Sequence, residues 1–258
     1  MDTSYLEKYY GKFCEEKRLA SRHGQVEFTT TMKYIHDYLK DYDKPSILEV
    51  GAGTGRYSCA LANEGYDVSA VELIKNNLGI LKAKKTSVKA YLGNALDLRK
   101  FKDKSFEIVL LLGPMYHLIS FEDKIQALKE AKRVLKDNGK IIIAYLMNEY
   151  SILTYGFRDN NILRCIKNKE IDDNFKTISK EETLYSYVRL EDINKLNESV
   201  GLKRVKIIAQ DGPTDYMRPI LNKMDEETFK IFIEYHLSTC ERIELLGASS
   251  HTLDILEK

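Results

Sequence analysis

The sequence predicts an α/β fold in which a mostly parallel sheet is flanked by helices. Short apolar or alternating runs, at residues 47–50, 66–72 and 88–92, are separated by stretches of helical periodicity. The run at residues 108–112 is uninterrupted, as is typical of a strand buried on both faces of a parallel sheet. A chain of 258 residues is long enough for one such domain with additions.

Composition limits the classes of partner. Forty basic and thirty-nine acidic residues give a formal charge of +1, so no overall field draws the chain to nucleic acid or to an anionic membrane. The four cysteines lack the spacing of a metal site or a disulfide framework, which predicts reduced thiols and no metal. The N-terminus is polar and no apolar run is long enough to span a bilayer, so we expect a cytoplasmic protein without a signal peptide or membrane anchor.

Two amphipathic helices are predicted before the first strand, with a break at residues 21–24. Apolar residues recur at helical spacing over residues 5–13 and again over residues 26–39. The second helix is expected to pack on the sheet. Residues 1–44 are therefore predicted to form an N-terminal helical lid or layer.

The first predicted strand stops in a glycine turn, ILEVGAGTGRYS at residues 47–58, and a helix follows over residues 57–63. Glycine permits positive φ and lets a ligand lie against bare backbone, next to the free N–H groups of the helix start. The G-x-G-x-G spacing fits a dinucleotide site poorly, because that fingerprint requires G-x-G-x-x-G. The turn predicts a ligand site, although an ordinary tight connection is the alternative.

Polar residues follow the next strands at the same predicted edge of the sheet. Glu72 ends the second strand about 20 positions beyond the glycines, where such folds contact a ribose. Asn94 follows the third strand, where plain turn chemistry is the alternative reading. Tyr116 and His117 come just after the fourth strand, where open α/β sheets place their ligands.

The second half of the chain completes the predicted sheet. A helix over residues 124–135 and a strand over 140–146 precede a polar, irregular stretch that predicts an inserted cap. A helix at residues 190–200, a strand at 203–209, a long helix at 225–246 and a strand at 251–256 follow, and the last two strands are expected to pair antiparallel. The predicted segments are the core at 45–146, the cap at 147–189 and the completion of the sheet at 190–258.

Four of these features together resemble the class I S-adenosylmethionine-dependent methyltransferases. The glycine turn resembles the family's E-x-G-x-G-x-G motif, Glu72 stands at its ribose position, and RVLKDNGKIII resembles its R-V-L-K-P-G-G connection. Residues 93–109 resemble its GDA-x-x-L-P-F-x-D-x-S-F-D-x-V segment, with Asn94 and Glu107 in place of aspartates. The resemblance implies a Rossmann-like seven-stranded sheet with a reversed last strand, and S-adenosylmethionine as cofactor, with S-adenosylhomocysteine as product.

The resemblance also implies which residues form the site. Glu72 would bind the ribose hydroxyls and Asn94 the adenine amino group. Tyr10 and Arg18 would cover a sulfonium ligand that has a free carboxylate, if the first helix is a lid. The residues predicted to contact the cofactor are Glu49, Gly51, Ala52, Gly53, Gly55, Glu72, Leu73, Asn94, Ala95, Leu112, Tyr10 and Arg18.

His117 and Tyr116 are the predicted catalytic residues. His117 would remove a proton from the methyl acceptor or orient it, and Tyr116 could do the orienting; a structural histidine is the alternative. The predicted function is in-line methyl transfer to the N, O or S atom of a small molecule. RNA or protein methylation is one alternative, although the D/N-P-P-Y/F motif of base N-methylation is absent. A non-catalytic sensor or assembly module that binds the cofactor is the other.

Overall fold

The computed structural model of the chain describes Leu6, residues 21–180 and residues 183–258. Of the predicted lid or layer over residues 1–44, residues 1–5 and 7–20, which include Tyr10 and Arg18, lie outside the described residues. Three of the cysteines, Cys59, Cys165 and Cys240, are buried free thiols. Within the described part of the chain, no helix is long and apolar enough to cross a membrane.

One twisted sheet organises the described residues. Its eight strands are β1 (Ser46–Val50), β2 (Asp67–Glu72), β3 (Lys89–Leu92), β4 (Phe106–Leu111), β5 (Leu135–Met147), β6 (Tyr187–Val188), β7 (Lys203–Ala209) and β8 (His251–Glu257). The strand order is β3-β2-β1-β4-β5-β8-β7, and the two-residue β6 adds to β5 beside that path. β8 is antiparallel to both of its neighbours, β5 and β7, and so runs opposite to the other strands. The predicted mostly parallel sheet with a reversed last strand is therefore confirmed, with β6 as an additional strand.

Helices cover both faces of this sheet. Those in the described ranges are α1 (Arg22–Leu39), α2 (Arg56–Asn63), α3 (Lys75–Ala83), α4 (Phe121–Val134), α5 (Asn148–Ser151), α6 (Ile162–Lys167), α7 (Leu190–Val200), α8 (Arg218–Leu221) and α9 (Glu226–Thr239). Side chains of α1 and α2 pack with Ile47, Ile108 and Ile142 on one face, and side chains of α4 and α7 pack with Leu48 and Val109 on the other. Central strands covered on both faces explain the continuous apolar runs in the sequence.

Two predicted boundaries differ from the structure. The Ser21 side chain accepts a hydrogen bond from the Gly24 backbone N–H, so α1 begins at Arg22 and Gly24 lies inside it rather than in a break. The predicted helix over residues 225–246 is too long, because α9 ends at Thr239. There the Cys240 carbonyl accepts from the Ala209 N–H at 2.8 Å, which ties the chain to the end of β7. A 3-10 turn over Ile243–Ala248 then keeps Leu246 buried, which sustains the apolar periodicity past the helix end.

The predicted cap is more regular than its polar sequence indicates. After α5 the chain forms a π-helical segment over Ile152–Arg158, and α6 follows. Within the π-helical segment, the Thr154 hydroxyl donates to the Tyr150 carbonyl at 2.7 Å. The hydrophobic periodicity of the sequence does not predict these helices, because several of their apolar side chains, among them Leu153, Phe157 and Leu163, are exposed.

The reversal of β8 affects which residues lie near the cleft described below. In a parallel sheet the carboxyl ends of all strands lie at one edge, whereas an antiparallel strand places its first residue there. Leu146, near the end of β5, pairs with His251 at the start of β8. Residues from the last tenth of the chain thus lie at the same edge of the sheet as the ends of β1, β2 and β4, next to the end of β5.

Candidate functional site

A cleft of about 1080 Å³ lies at the carboxyl ends of β1, β2, β3 and β4. Such concave sites at this edge are where open α/β sheets bind small ligands. Most of the sequence-predicted residues line it: Glu49, Gly51, Ala52, Gly53, Glu72, Leu73, Asn94, Ala95, Leu112, Tyr116 and His117. Gly55 does not line the cleft, and Tyr10 and Arg18 lie outside the described residues.

The glycine turn has one position that is open to a ligand, Gly53, whereas packing closes Gly51 against Pro114 and Gly55 against Leu81. Gly53 and Gly55 both have positive φ, +56° and +84°. A Cβ added at Gly55 would stand 2.1 Å from Leu81 Cδ1, whereas one added at Gly53 would meet no heavy atom of the structure within 4 Å. Packing against α3 therefore requires a glycine at position 55. Gly53 lines the cleft, and the open space beside it faces the cleft.

Glu72 is held at the end of β2 by two backbone donors. Its Oε2 accepts from the Gly53 N–H at 2.7 Å and its Oε1 from the Ile74 N–H at 2.8 Å. Burial raises the pKa of Glu72, although the backbone donors and the Asn77 side chain act in the opposite direction. Each carboxylate oxygen has a second acceptor site, so this orientation still permits bonds to ligand hydroxyls.

Glu49 links the strand to the following helix. Its Oε2 accepts from the Ser58 N–H at 2.9 Å, which satisfies a donor in the first turn of α2. Burial raises the pKa of Glu49 to about 7, and the charge of Glu72 contributes. Two acidic groups therefore lie below the glycine turn, where they would favour a cationic ligand.

Asn94 combines a position in the cleft with a role in its own turn. Its Oδ1 accepts from the Leu96 N–H at 3.0 Å, which is the turn chemistry considered from the sequence. The side chain also lines the cleft. Because a carbonyl oxygen has two lone pairs, the turn bond does not prevent Asn94 from accepting a further hydrogen bond.

Tyr116 and His117 form an aromatic wall at the end of the cleft. The His117 Nδ1–H donates to the Leu184 carbonyl at 2.9 Å, so the other ring nitrogen, Nε2, is the acceptor of the neutral ring. Burial lowers the pKa of His117 to about 4. The Tyr185 ring lies 5.4 Å from the ring of His117 and 6.0 Å from that of Tyr116. This wall joins the cleft to the predicted cap.

A second cavity of about 1540 Å³ lies on the far side of this wall. It is lined by residues between Tyr150 and Tyr187, including Leu184 and Tyr185. Its ionic side chains have both signs, with Arg158, Arg164 and Lys180 beside Asp159 and Glu170. The two cavities share the contact of His117 with Leu184 and Tyr185.

Several cleft residues were not predicted from the sequence: Leu6, Glu27, Thr54, Arg56, Tyr57, Ile74 and Asn77. Arg56 could have been identified, because it directly follows the glycine turn. Its guanidinium carbon lies 4.3 Å from the centroid of the Phe28 ring. Among the residues that the structure describes, its buried Nε has no hydrogen-bond acceptor. A cation placed at the N-terminus of α2 adds to the positive end of the helix dipole, which together favour an anionic group.

These groups fit an elongated ligand with a ribose, a cationic centre and a carboxylate. Glu72 could hold hydroxyls, the acidic pair could face the cation, and Arg56 could pair with the carboxylate. The open space at Gly53 lets such a ligand approach the backbone. S-adenosylmethionine has all of these parts.

Comparisons with known proteins agree with this geometry. A family model described as a methyltransferase domain matches residues 48–143. An uncharacterized methyltransferase from Alkaliphilus oremlandii is 26% identical over 174 residues, which make up 67% of this chain and 75% of that protein. A demethylmenaquinone methyltransferase from Renibacterium salmoninarum is 33% identical over 110 residues, 43% of each chain.

Solved structures share the whole fold. A Thermotoga maritima protein described as an S-adenosylmethionine-dependent methyltransferase, possible histamine N-methyltransferase, aligns over 100% of both chains with a TM-score of 0.61 and 19% identity. A likeness at 19% identity shows the fold alone. The similarity to the methyltransferase domain rests on the match at residues 48–143. The cofactor of this enzyme family is S-adenosylmethionine. Residues 48–143 therefore match a methyltransferase domain, and the chain is similar in sequence and fold to class I S-adenosylmethionine-dependent methyltransferases.

Proposed function

We propose that the chain transfers a methyl group from S-adenosylmethionine to a small-molecule acceptor. The observation that carries this proposal is the cavity of the cap, which shares the wall of Tyr116, His117 and Tyr185 with the cofactor cleft. Methyl transfer needs the acceptor atom in line with the sulfonium and close to the methyl group, so catalysis rests mainly on positioning. An acceptor that enters through the cap cavity meets this requirement at the wall.

In this proposal the predicted cleft residues hold the cofactor. Glu72 accepts from the ribose hydroxyls, the backbone at Gly53 lies against the ligand, and Asn94 faces the adenine. The acidic pair of Glu49 and Glu72 stabilises the sulfonium charge. The bound cofactor supplies a methyl group from a positively charged sulfur. That sulfur becomes a neutral thioether when the methyl group is transferred.

Arg56 is proposed to bind the carboxylate of the cofactor. Arg56 lines the cleft with its guanidinium over the Phe28 ring, and its buried Nε has no acceptor among the described residues, so it can contribute to a bidentate pair with a carboxylate. Arg18, the sequence-predicted partner of the same carboxylate, stays a prediction. Leu6 supports a role for the N-terminal segment, because it is buried and lines the cleft.

Binding of the cofactor by Arg56 can be measured without knowing the acceptor. Arg56→Gln should weaken the binding of S-adenosylhomocysteine by about 10-fold or more in calorimetry, as expected for the loss of a charge-assisted hydrogen bond. The affinity for 5′-methylthioadenosine, which lacks the carboxylate, should not change. An equal loss for both ligands would contradict the pairing and leave Arg56 a general element of the cleft.

His117 and Tyr116 are proposed to orient the acceptor. With its pKa lowered to about 4, His117 is neutral at physiological pH and accepts a hydrogen bond through Nε2, but it is a weak base. The Tyr116 hydroxyl donates to the Leu112 carbonyl at 3.1 Å, which holds the ring in place. Of the two roles predicted for His117, orientation of the nucleophile is favoured.

Methylation of RNA or protein is the second candidate, and cofactor binding without turnover is the third. A polymer would require an open surface of uniform charge next to the cleft, whereas the cap cavity has mixed charge. The names of relatives are consistent with small acceptors, since one is a demethylmenaquinone methyltransferase and one a possible histamine N-methyltransferase. Incubation with methyl-labelled S-adenosylmethionine and fractionated cell extract tests all three. Label in small metabolites supports the proposal, label in RNA or protein contradicts it, and no transfer favours a binding protein.

A further inference from the structure

Two short helical segments of the cap pack against each other as a hairpin. The π-helical segment Ile152–Arg158 continues through a three-residue turn into α6 (Ile162–Lys167). The segments are close together, because a Cβ added at Gly156 would stand 3.3 Å from Ile162 Cδ1. Residues 152–169 form this unit, which we call the cap hairpin.

The cap hairpin exposes a large share of the apolar side chains on the surface. Among the residues that the structure describes, fifteen large apolar or aromatic side chains are exposed, and five of them lie in this short unit. The five are Leu153, Tyr155, Phe157, Leu163 and Ile166. Leu163 is 77% exposed, the highest value among the fifteen, and it lies near the turn, as does Phe157. Single exposed apolar side chains are common on proteins, but a concentration of them marks an interaction surface.

Basic side chains accompany this apolar surface. The cap hairpin has one acidic residue, Asp159, and four basic residues, Arg158, Arg164, Lys167 and Lys169. Asp159 pairs with Arg158 at 2.8 Å, and Glu170, which follows the hairpin, lies 3.9 Å from Arg164. Lys167 and Lys169 are both exposed. The surface of the hairpin is therefore apolar and cationic, although the whole chain is nearly neutral.

The cap cavity reaches the surface of the molecule at the cap hairpin. Tyr155, Arg158 and Arg164 line this cavity and are also exposed. The less exposed part of the lining includes Ile152, Ile162, Ile171 and Leu184. The two arginines of the lining are thus exposed, whereas these aliphatic side chains are covered. Such a cavity suits a molecule that has a polar end and an apolar body.

We propose that the cap hairpin docks the chain on an anionic lipid surface, and that the methyl acceptor is a lipid-soluble molecule that enters the cap cavity from that surface. The acceptor rests on the proposed function, whereas the docking does not. Helices that lie in a membrane interface combine apolar side chains, which enter the lipid, with Lys and Arg, which face anionic head groups. The near-neutral net charge does not oppose this docking, because salt screens charges that lie beyond about 10 Å.

Two other occupants of the hairpin surface fit less well. A second copy of the chain in a two-fold contact would bring together the same surface of both copies, so eight basic side chains would repel one another. Nucleic acid pairs with basic side chains through its phosphates, but it gives no apolar surround to exposed side chains such as Leu163 and Ile166. An anionic lipid surface satisfies both the apolar and the basic groups.

Vesicle flotation of the full chain tests the docking. Wild type should bind vesicles of phosphatidylglycerol and phosphatidylcholine about 10-fold more tightly than vesicles of phosphatidylcholine alone, and high salt should reduce the difference. Phe157→Gln combined with Leu163→Gln should weaken binding to the anionic vesicles by about 10-fold or more, because two apolar side chains no longer enter the lipid. Lys167→Gln combined with Lys169→Gln should also weaken it, by about five-fold for each cation.

Ile231→Gln combined with Tyr235→Gln is the matched control. These side chains are exposed to a similar extent, 59% and 57%, but they lie on α9. This variant should bind the vesicles as wild type does. The affinity for S-adenosylhomocysteine should be equal in all of these variants, since none of the substituted residues lines the cofactor cleft.

Several results would overturn the docking. They are the absence of vesicle binding in wild type, equal binding by wild type and both hairpin variants, and an equal loss in the α9 control. A dimer in sedimentation analysis that dissociates when Phe157 and Leu163 are replaced would assign the surface to a second copy of the chain. RNA that displaces the chain from anionic vesicles would assign it to nucleic acid.

The acceptor is tested with methyl-labelled S-adenosylmethionine and anionic vesicles that contain a total lipid extract of cells. Label should enter the fraction that dissolves in organic solvent, and both hairpin variants should lower this labelling by about 10-fold. Label in water-soluble metabolites alone would overturn the lipid-soluble acceptor, and the proposed function would stand. No label in any fraction of a cell extract would overturn the acceptor together with the proposed function, and vesicle binding would still decide the docking.

Discussion

Alanine substitutions in the glycine turn should separate packing from ligand binding. At Gly55 the positive φ of +84° costs an alanine about 1–2 kcal/mol. The new Cβ would also stand 2.1 Å from Leu81 Cδ1 and 3.1 Å from Cys59 Sγ. Both neighbours are buried, so relief of this overlap costs about 1–3 kcal/mol more. Gly55→Ala is expected to lose about 2–5 kcal/mol of unfolding free energy.

Gly53→Ala should have the opposite profile. Its Cβ meets no neighbour, so only the backbone term of about 1–2 kcal/mol applies to stability. The same methyl group occupies the space where the cofactor is proposed to approach the backbone. We expect S-adenosylhomocysteine to bind about 10-fold more weakly or worse to Gly53→Ala, and nearly normally to Gly55→Ala wherever that variant is folded.

Gly65→Ala is the matched control for both variants. Gly65 has a φ of +96°, its Cβ would meet no atom, and it lies away from the cleft in the turn before β2. Circular dichroism should show a melting temperature lower for Gly55→Ala than for the other two by several degrees, at about 2–4 °C per kcal/mol. Equal melting temperatures for all three variants would refute the packing argument. Normal affinity in Gly53→Ala would refute the ligand argument.

Three further predictions concern buried charged groups. Glu72→Gln should weaken the binding of S-adenosylhomocysteine by about 10-fold or more in calorimetry, because one hydrogen-bond acceptor of the side chain becomes a donor. Unchanged affinity would show that Glu72 does not bind the ribose. Asp254→Asn should lower the free energy of unfolding in urea by about 3 kcal/mol, since the fully buried carboxylate accepts from Arg204 at 2.5 Å, and it should leave cofactor affinity intact. His117→Gln should make the stability of the protein less sensitive to acid. The pKa of His117 is about 4 in the folded chain and about 6.5 in the unfolded chain, so the unfolded chain binds the proton first. The wild-type chain therefore loses stability as the pH drops from about 6.5 to about 4, and His117→Gln should lack this loss. A parallel loss of stability in wild type and His117→Gln from pH 6.5 to 4 would contradict a buried, neutral His117 in the folded chain.

Local patterns explain why much of the fold could be predicted. Strand β7 and helix α7 have the bounds expected from their periodicity and from the turn at Gly201, whose φ of +61° ends the helix. The glycine turn and Glu72 are likewise separated by only about 20 residues in one β-α-β unit, and a parallel crossover brings the ends of its strands together. Residues that act within such a unit can be inferred from spacing alone.

Tertiary structure decided the features that join distant segments. No spacing in the sequence relates Glu27 to Asp211 and His251, which meet only because α1 packs on the sheet and β8 runs antiparallel between β5 and β7. The lowered pKa of His117 likewise depends on burial in the tertiary structure, which outweighs the opposing effect of the hydrogen bond to the Leu184 carbonyl. By itself the sequence determined the α/β class, the glycine turn and the acidic residue at the ribose position, because each follows from local periodicity or from one short crossover. The strand order around β8, the position of Arg56 over Phe28 and the carboxylate that holds His251 were decided by packing, because they depend on contacts between parts of the chain that no local signal connects.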